Sequence, residues 1–461
     1  MKMMILPIAL FLLQACSKKS DSYVPPPPVV TADTTFQQFG TPYTSTPAPE
    51  DCSLYQVNFR AFGPPGNFAA VQGRLDSIRA LGINTLYLMP VYPIGALKSV
   101  NSPYCVKDYL SVNTGFGDLT GLRTLVAEAH KRNMAVLFDW VADHTSWDNA
   151  WIANKTWYKQ DGGGNIISPP NTGWNDVAAL NFTNTDMREA MIRAMKYWVY
   201  QANIDGYRCD AADFVPADFW RQAIDSLRAI PTHKLLLFAE GTRPDHFTAG
   251  FDLVFGMGFY YNMVGNVFGK GGSVRSIDSV NTVEYASANA AGRVVRYTSN
   301  HDVDNSDGTP LDLLGGRTGS LAAFLASSYM PGAPMIYNGQ ERGCPIKLNF
   351  FNNSTTIDWT LNPDILAIYK NIIGYRNNKT SLRKGSLQVY SNNDILVFTR
   401  SLPGDTVLVI VNLRNSPSSY TTPAALTIAA WKNAFDGSNS PFSMPPQINL
   451  QPYEYRVLEK Q

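Results

Sequence analysis

The chain has 461 residues, with 38 Lys and Arg set against 37 Asp and Glu for a formal net charge of +1. That balance gives no electrostatic ground for nucleic-acid binding, and a hydrophobic content of 45% is that of an ordinary globular protein. The length admits two or three domains, or one large barrel with additions.

Residues 1–13 carry one lysine and then an apolar stretch too short to span a bilayer as a helix. They run into Leu13-Gln14-Ala15-Cys16, followed by Ser17, Lys18 and Lys19. This resembles the lipobox of bacterial lipoproteins, which implies a signal peptide at 1–15, lipidation of Cys16 and a protein exported and anchored to the cell envelope. A plain secretory peptide is the alternative, and on either reading the protein leaves the cytoplasm. Residues 16–50 are rich in Pro, Thr and Ser, with four prolines at 25–28, and read as an extended tether.

The folded sequence opens with a strand candidate at 53–62, an amphipathic helix at 68–81 and a buried strand at 83–91. Helix at 119–132, strand at 135–140, helix at 187–202 and the strand running into Asp210 continue the rhythm. A helix at 217–229 leads to the strand before Glu240. Residues 251–255, 294–299 and 334–338 supply the sixth, seventh and eighth strands. Such alternation predicts an α/β fold, a (β/α)8 TIM barrel over 51–378.

Two segments break the rhythm. Residues 145–183 hold Trp147, Trp151, Trp157 and Trp174 with a Gly162-Gly163-Gly164 run, and are too long for a simple loop after the third strand. They predict a small domain inserted over the barrel mouth, with Trp147 and Trp174 as candidate sugar-stacking surfaces. Beyond 379 helical periodicity disappears, and DILVFTRSL, TVLVIVNL and YEYRVLEK predict a C-terminal antiparallel β-sandwich at 379–461. Apart from Cys16, four scattered cysteines establish no disulfide framework. Cys105 and Cys344, both expected in loops on the same face, are the one pairing considered.

Four apolar runs end abruptly in charge: LFDWVADH at 137–144, IDGYRCDAAD at 204–213, LLLFAEG at 235–241 and VRYTSNHD at 295–302. Unpaired charge is too costly for a core, so these are strand ends at the carboxyl rim of the barrel, where active sites sit. Two carboxylates flanking one bond suffice for glycoside hydrolysis, and a third can stabilise an oxocarbenium-like transition state. Arg208, two residues before Asp210, points to the same side of its strand and can keep Asp210 ionised. His144 and His301 can donate to sugar hydroxyls. Both can also ligate a metal, but Arg208 beside them would repel one.

These segments resemble the four signature motifs of the α-amylase family, glycoside hydrolase family thirteen, in order. Asp139-Trp140-Val141-Ala142-Asp143-His144, then Gly206-Tyr207-Arg208-Cys209-Asp210, Glu240 and Asn300-His301-Asp302 carry the likeness. The stretches at 102–118 and 331–341 are similar to family segments too. The resemblance implies a retaining α-glucan hydrolase with Asp210 as nucleophile, Glu240 as general acid/base and Asp302 as transition-state stabiliser. It implies that Tyr104, His144, Arg208 and His301 surround the sugar at the cleavage point, and it makes the insertion the family's domain B and the sandwich its domain C.

No cofactor is implied for the chemistry. Asp143 stands where the family usually has an Asn that in many members binds a structural calcium, and it is the candidate metal ligand here. Ala179, where many relatives carry an acid, argues against a strong site. Asp139 reads as a support for Arg208 or for the loop after its strand, Asp108 as a buried partner, and Asp213 and Asp218 as residues that flank or cap the next helix. The expected substrate is starch, glycogen or a maltooligosaccharide cut at α-1,4 bonds. An α-glucosidase, an α-1,6-cleaving enzyme, a transglycosylase of the same family and a catalytically inactive glucan-binding protein are the alternatives.

Overall fold

Eight short runs, apolar because both faces are covered, close into a parallel barrel. The computed structural model describes residues 36–64, 66–288, 292–435 and 440–461, so the leader, Cys16 and the first part of the tether lie outside the described residues. β1 (Leu54–Val57), β2 (Thr85–Leu88) and β3 (Ala135–Val141) are followed by a short pair, β4 (His144–Ser146) and β5 (Val177–Ala179). β6 (Gly206–Asp210), β7 (Leu236–Ala239), β8 (Leu253–Phe255), β9 (Arg293–Arg296) and β10 (Ala333–Tyr337) complete the set. The ring runs β1-β10-β9-β8-β7-β6-β3-β2, which is the predicted α/β barrel.

Period-two alternation divides each strand between two cores. Leu54, Tyr87, Leu137, Phe238, Leu253 and Met335 fill the barrel interior. Their neighbours Tyr55, Leu86, Phe138 and Tyr207 join the larger core beneath the helices. The predicted helix at 68–81 is two helices, Phe68–Gln72 and Leu75–Arg79, because Gly73 ends the first.

β4 and β5 pair antiparallel, His144 opposite Ala179, and form the base of the insertion. Its tryptophans split their duties. Trp151 packs against Trp157 and Tyr109 as local core, whereas Trp174 meets the edge of His144 at 5.6 Å.

At the C-terminus β11 (Ser386–Val389), β12 (Ile395–Leu402), β13 (Asp405–Asn412), β14 (Ser418–Thr421), β15 (Trp431–Asn433), β16 (Pro441–Phe442), β17 (Gln447–Leu450) and β18 (Tyr455–Lys460) follow. They build a six-stranded sheet, β11-β12-β13-β18-β15-β16, faced by the β14-β17 ribbon. Ile395, Val397, Leu408, Ile410 and Leu458 meet Tyr420, Ile448 and Leu450 across the gap. The other face of β12 and β13, with Leu396, Phe398, Val407 and Val409, belongs to the barrel's outer core.

Two sequence expectations need correction, and the one cysteine pairing considered is not formed. The later part of the tether is not free: Phe36 packs on Tyr197, Arg123 covers Phe39 and Tyr43 stacks on His130 at 4.3 Å. Aromatic residues every three or four positions hold this strap to the barrel floor, an apolar signal hidden among prolines. Cys105 and Cys344 are both free, their thiols donating instead to the Asp176 and Ile346 carbonyls. Asp108 is exposed rather than buried, and its carboxylate caps the turn through Leu110 N–H and Ser111.

Gly206 shows how tightly the ring closes. It opens β6 at φ 146°, and a Cβ there would lie 1.9 Å from the Leu236 carbonyl oxygen of β7. Gly206→Ala is therefore expected to cost about 3 kcal/mol or more, read as a lowered urea midpoint, with Gly265→Ala, whose Cβ meets nothing within 4 Å, as control.

Candidate active site

Because alternate residues of β6 face inward, Arg208 lies wholly buried inside the barrel just under its rim. Its Nη1 donates to Asp139 Oδ1 at 2.6 Å and to Asp210 Oδ1 at 2.8 Å. Its Nη2 lies 2.7 Å from Glu240 Oε1. One guanidinium thus joins three carboxylates from three adjacent strand ends. A buried charge without such partners would be strongly destabilising.

Each carboxylate is held again from another side. Asp139 Oδ2 accepts from the Tyr87 hydroxyl at 2.7 Å and the Tyr104 hydroxyl at 2.9 Å. Glu240 Oε2 accepts from the Ala211 N–H at 2.8 Å. Ala211 has φ 43°, a left-handed conformation that costs a non-glycine residue on the order of 1–3 kcal/mol; a second bond, Ala212 N–H to Glu240 O at 2.8 Å, helps to hold the turn.

His301 opens the helix His301–Ser306, whose N-cap Asn300 accepts from the N–H groups of Asp302 and Val303. Gln56 donates to His301 Nδ1 at 2.7 Å, which leaves the proton on Nε2, 2.6 Å from the Tyr104 hydroxyl. Burial, reinforced by the Arg208 charge, lowers His301 well below the usual imidazole range, so the ring is neutral. A continuous relay follows, from Gln56 through His301 and Tyr104 to Asp139 and Arg208. His144 faces the Tyr104 carbonyl through Nε2 at 3.2 Å.

Electrostatics separate the carboxylates. Burial raises Asp210 above the ordinary range, with Arg208 as the opposing charge and Glu240 and Asp139 adding to the rise. Half of the Asp302 side chain faces the open cleft, yet enclosure by the cleft walls and the nearby Glu240 raise its carboxyl to about 7. Burial alone would raise Asp213 as well, but bonds from His246, Thr242 and Arg243 bring it down to about 2. Asp213 therefore pins the turn after Glu240 rather than joining the cleft. Asp218 pairs with Arg188 at the surface.

Tyr104, His144, Asp210, Glu240, His301 and Asp302 all line one cavity of about 800 Å³. Arg208 lies beneath it, and Asp139 supports Arg208 as the sequence predicted. Trp174 also lines the cavity, whereas Trp147 stands outside its lining and carries Lys98 over its ring. Sequence reasoning passed over Gln56, Tyr87, Phe350 and Phe351. Gln56 was visible as the lone polar residue in the apolar run LYQV, but a loop pair such as Phe350-Phe351 carries no periodic signal.

The residues at Asp143 do not fit calcium. Its carboxylate is buried, with His144 Nδ1 at 3.4 Å as its side-chain neighbour, and the strand opposite presents Ala179. A calcium ion takes 6–8 oxygens. Among the described residues no group of three His, Cys, Asp or Glu is arranged to hold a metal ion, and no chemical step is assigned to one.

Residues 32–162 match the family model for the alpha amylase catalytic domain, and residues 387–457 match that for the maltogenic amylase C-terminal domain. The chain is 25% identical over 416 residues to alpha-amylase MalA of Haloarcula japonica, covering 83% of this chain and 58% of that protein. It is 25% identical over 434 residues to the intracellular maltogenic amylase of Bacillus subtilis, covering 85% and 69%. The crystal structure of an alpha-amylase from Lactobacillus plantarum superposes with a TM-score of 0.77 at 23% identity, covering 89% of this chain and 99% of that one.

These relatives correct the expected location. An amylase named intracellular aligns along most of the chain, which points away from a lipid-anchored envelope protein. That expectation rested on a short apolar leader and one cysteine, which lie outside the described residues, and it is not retained. Among the described residues no helix is long and apolar enough to cross a membrane. Both matched segments and the barrel architecture thus make the chain similar to the catalytic domain of the alpha amylases and to the C-terminal domain of the maltogenic amylases.

Proposed function

We propose that this protein hydrolyses α-1,4-glucosidic bonds of starch, glycogen or maltooligosaccharides, retaining configuration at the anomeric carbon. The observation that carries this reading is the single guanidinium shared by Asp139, Asp210 and Glu240 beneath a cleft that Asp302 also lines. Tying Asp210 and Glu240 to two nitrogens of one group keeps them close, in keeping with the roughly 5 Å between carboxyls that a retaining pair needs.

In this mechanism Asp210 attacks the anomeric carbon while Glu240 gives its proton to the leaving oxygen. The Arg208 charge opposes the burial that would keep Asp210 protonated, and Glu240 supplies the proton that cleavage requires. Asp302, open to the cleft, stabilises the positive charge that develops on the sugar. Water activated by Glu240 then releases the sugar from Asp210. His144 and His301 face the sugar hydroxyls across the cleft, and Tyr104, held through its hydroxyl by the Nε2–H of the neutral His301, stacks beneath the ring. No cofactor takes part.

Chromatography of products from maltohexaose, soluble starch and an α-1,6-linked isomaltooligosaccharide tests the reading. Short maltooligosaccharides are expected from the first two, with kcat lowered about 10³-fold or more in Asp210→Asn. Turnover of the α-1,6 substrate alone, or products longer than maltohexaose, would move the assignment to debranching or transglycosylation.

Asp302 also links function to stability. A carboxyl raised in the folded state favours folding when protonated, so its contribution is lost as pH climbs from about 4, the unfolded value, to about 7. Asp302→Asn is thus expected to raise Tm at pH 8 and leave it unchanged at pH 4, while activity falls. Equal Tm shifts at both pH values would contradict this.

A further inference from the structure

The two ends of the cleft are built differently. Glu240 follows β7, and β1 stands diametrically across the ring from it. The acid serves the leaving oxygen, so the departing part of the glucan lies on the β7 side, where Trp174 and Phe214 stand 5.4 Å apart. The part that stays on Asp210, and leads toward the nonreducing end, extends toward β1, β2 and β10.

That second end is walled. Arg60, three residues past β1 and 9% exposed, donates from Nη1 to the carbonyls of Asn101 and Phe350, both at 2.8 Å. Its Nη2 donates to Asn101 Oδ1 at 3.2 Å. Asn101 Nδ2 donates to the Phe351 carbonyl, and Asn58 Nδ2 to that of Asn349 at 3.3 Å. Lys98, 3.6 Å from the centre of the Trp147 ring, fastens the same loop to the insertion. The segments after β1, β2 and β10 are thereby stitched across the barrel mouth. Phe350 packs its edge on both His301 and Tyr104, at 5.2 and 6.2 Å. Val100, Phe350 and Phe351 line the cavity from this wall. The cavity volume, about 800 Å³, falls within the roughly 300–1,000 Å³ typical of small-ligand pockets.

We infer that the wall stitched by Arg60 ends the cleft a short distance beyond the sugar at Tyr104, so that the protein trims α-glucans from their nonreducing ends instead of cutting within the chain. The inference rests on the hydrolase reading above. Its bonds end on backbone carbonyls, so the wall is a fixed part of the fold and sets product length by steric stop.

The test compares maltoheptaose with maltoheptaose capped by an ethylidene group on O4 and O6 of its nonreducing-end glucose, products being resolved by chromatography from the first minutes. One short product and its complement should appear from the free sugar, and the capped sugar should be cut at least tenfold more slowly. Phe351→Ala, which opens the wall without touching Arg60, and Arg60→Lys should each raise the capped-to-free rate ratio at least threefold. Equal wild-type rates on the two sugars would overturn end-trimming while leaving the hydrolase intact. An unchanged ratio in both variants, folded by circular dichroism, would overturn the role of the wall. No cleavage of either sugar would bring down the hydrolase reading and this inference with it.

Discussion

A single buried cation organises this molecule. Arg208 takes no part in bond making, yet the strand ends of β3, β6 and β7 all direct a carboxylate at it. Arg208 and Asp139 are wholly buried, so the pairing must be near complete to offset their desolvation. What results is a cluster whose geometry is fixed before substrate arrives. Preorganised charge of this kind needs no rearrangement at the moment of reaction.

Around that cluster the protein grades its rigidity. Asp139 is gripped by Arg208 and two tyrosine hydroxyls, and Asp213 locks the turn after Glu240. Gly241 cannot carry a side chain because a Cβ would sit 2.4 Å from Asp213 Oδ1 and His246 Nε2. Of Asp210, Glu240 and Asp302, only Asp302 has a side chain half open to the cleft. In the proposed mechanism the group that answers a charge developing on the substrate is thus the one left facing it.

The barrel was legible in the sequence because a strand buried on both faces leaves a plain record, an apolar run ending in charge. LFDWVADH, GYRCD and LLLFAEG mark their elements to within a few residues for that reason, and their terminal carboxylates marked the site. What escaped had no periodic trace. Phe36, Phe39 and Tyr43 sit among prolines and threonines, so the strap read as free chain. Gln56 looked like a blemish in a strand although it sets the tautomer of His301. The carbonyl stitching by Arg60 depends on backbone positions that composition does not encode. Cys105 and Cys344 stay free, since a shared face is a weaker condition than the separation a disulfide requires.

Closing a ring has a kinetic side. β1 pairs with β2 soon after both exist, but its other edge stays bare until β10 appears, and Tyr55 reaches Glu341, 286 positions further along the chain. Such distant pairing slows folding, and an unpaired strand edge invites association with other chains. The strap at 36–50 waits as well, because Asn203 and Lys234, which bond to Thr41 and Thr46, are made long after it. On a ribosome the strap would therefore wait for partners made up to 188 positions after it. Its aromatic side chains stay exposed until Arg123, His130 and Tyr197 have been made, an interval in which a chaperone has a defined segment to shield.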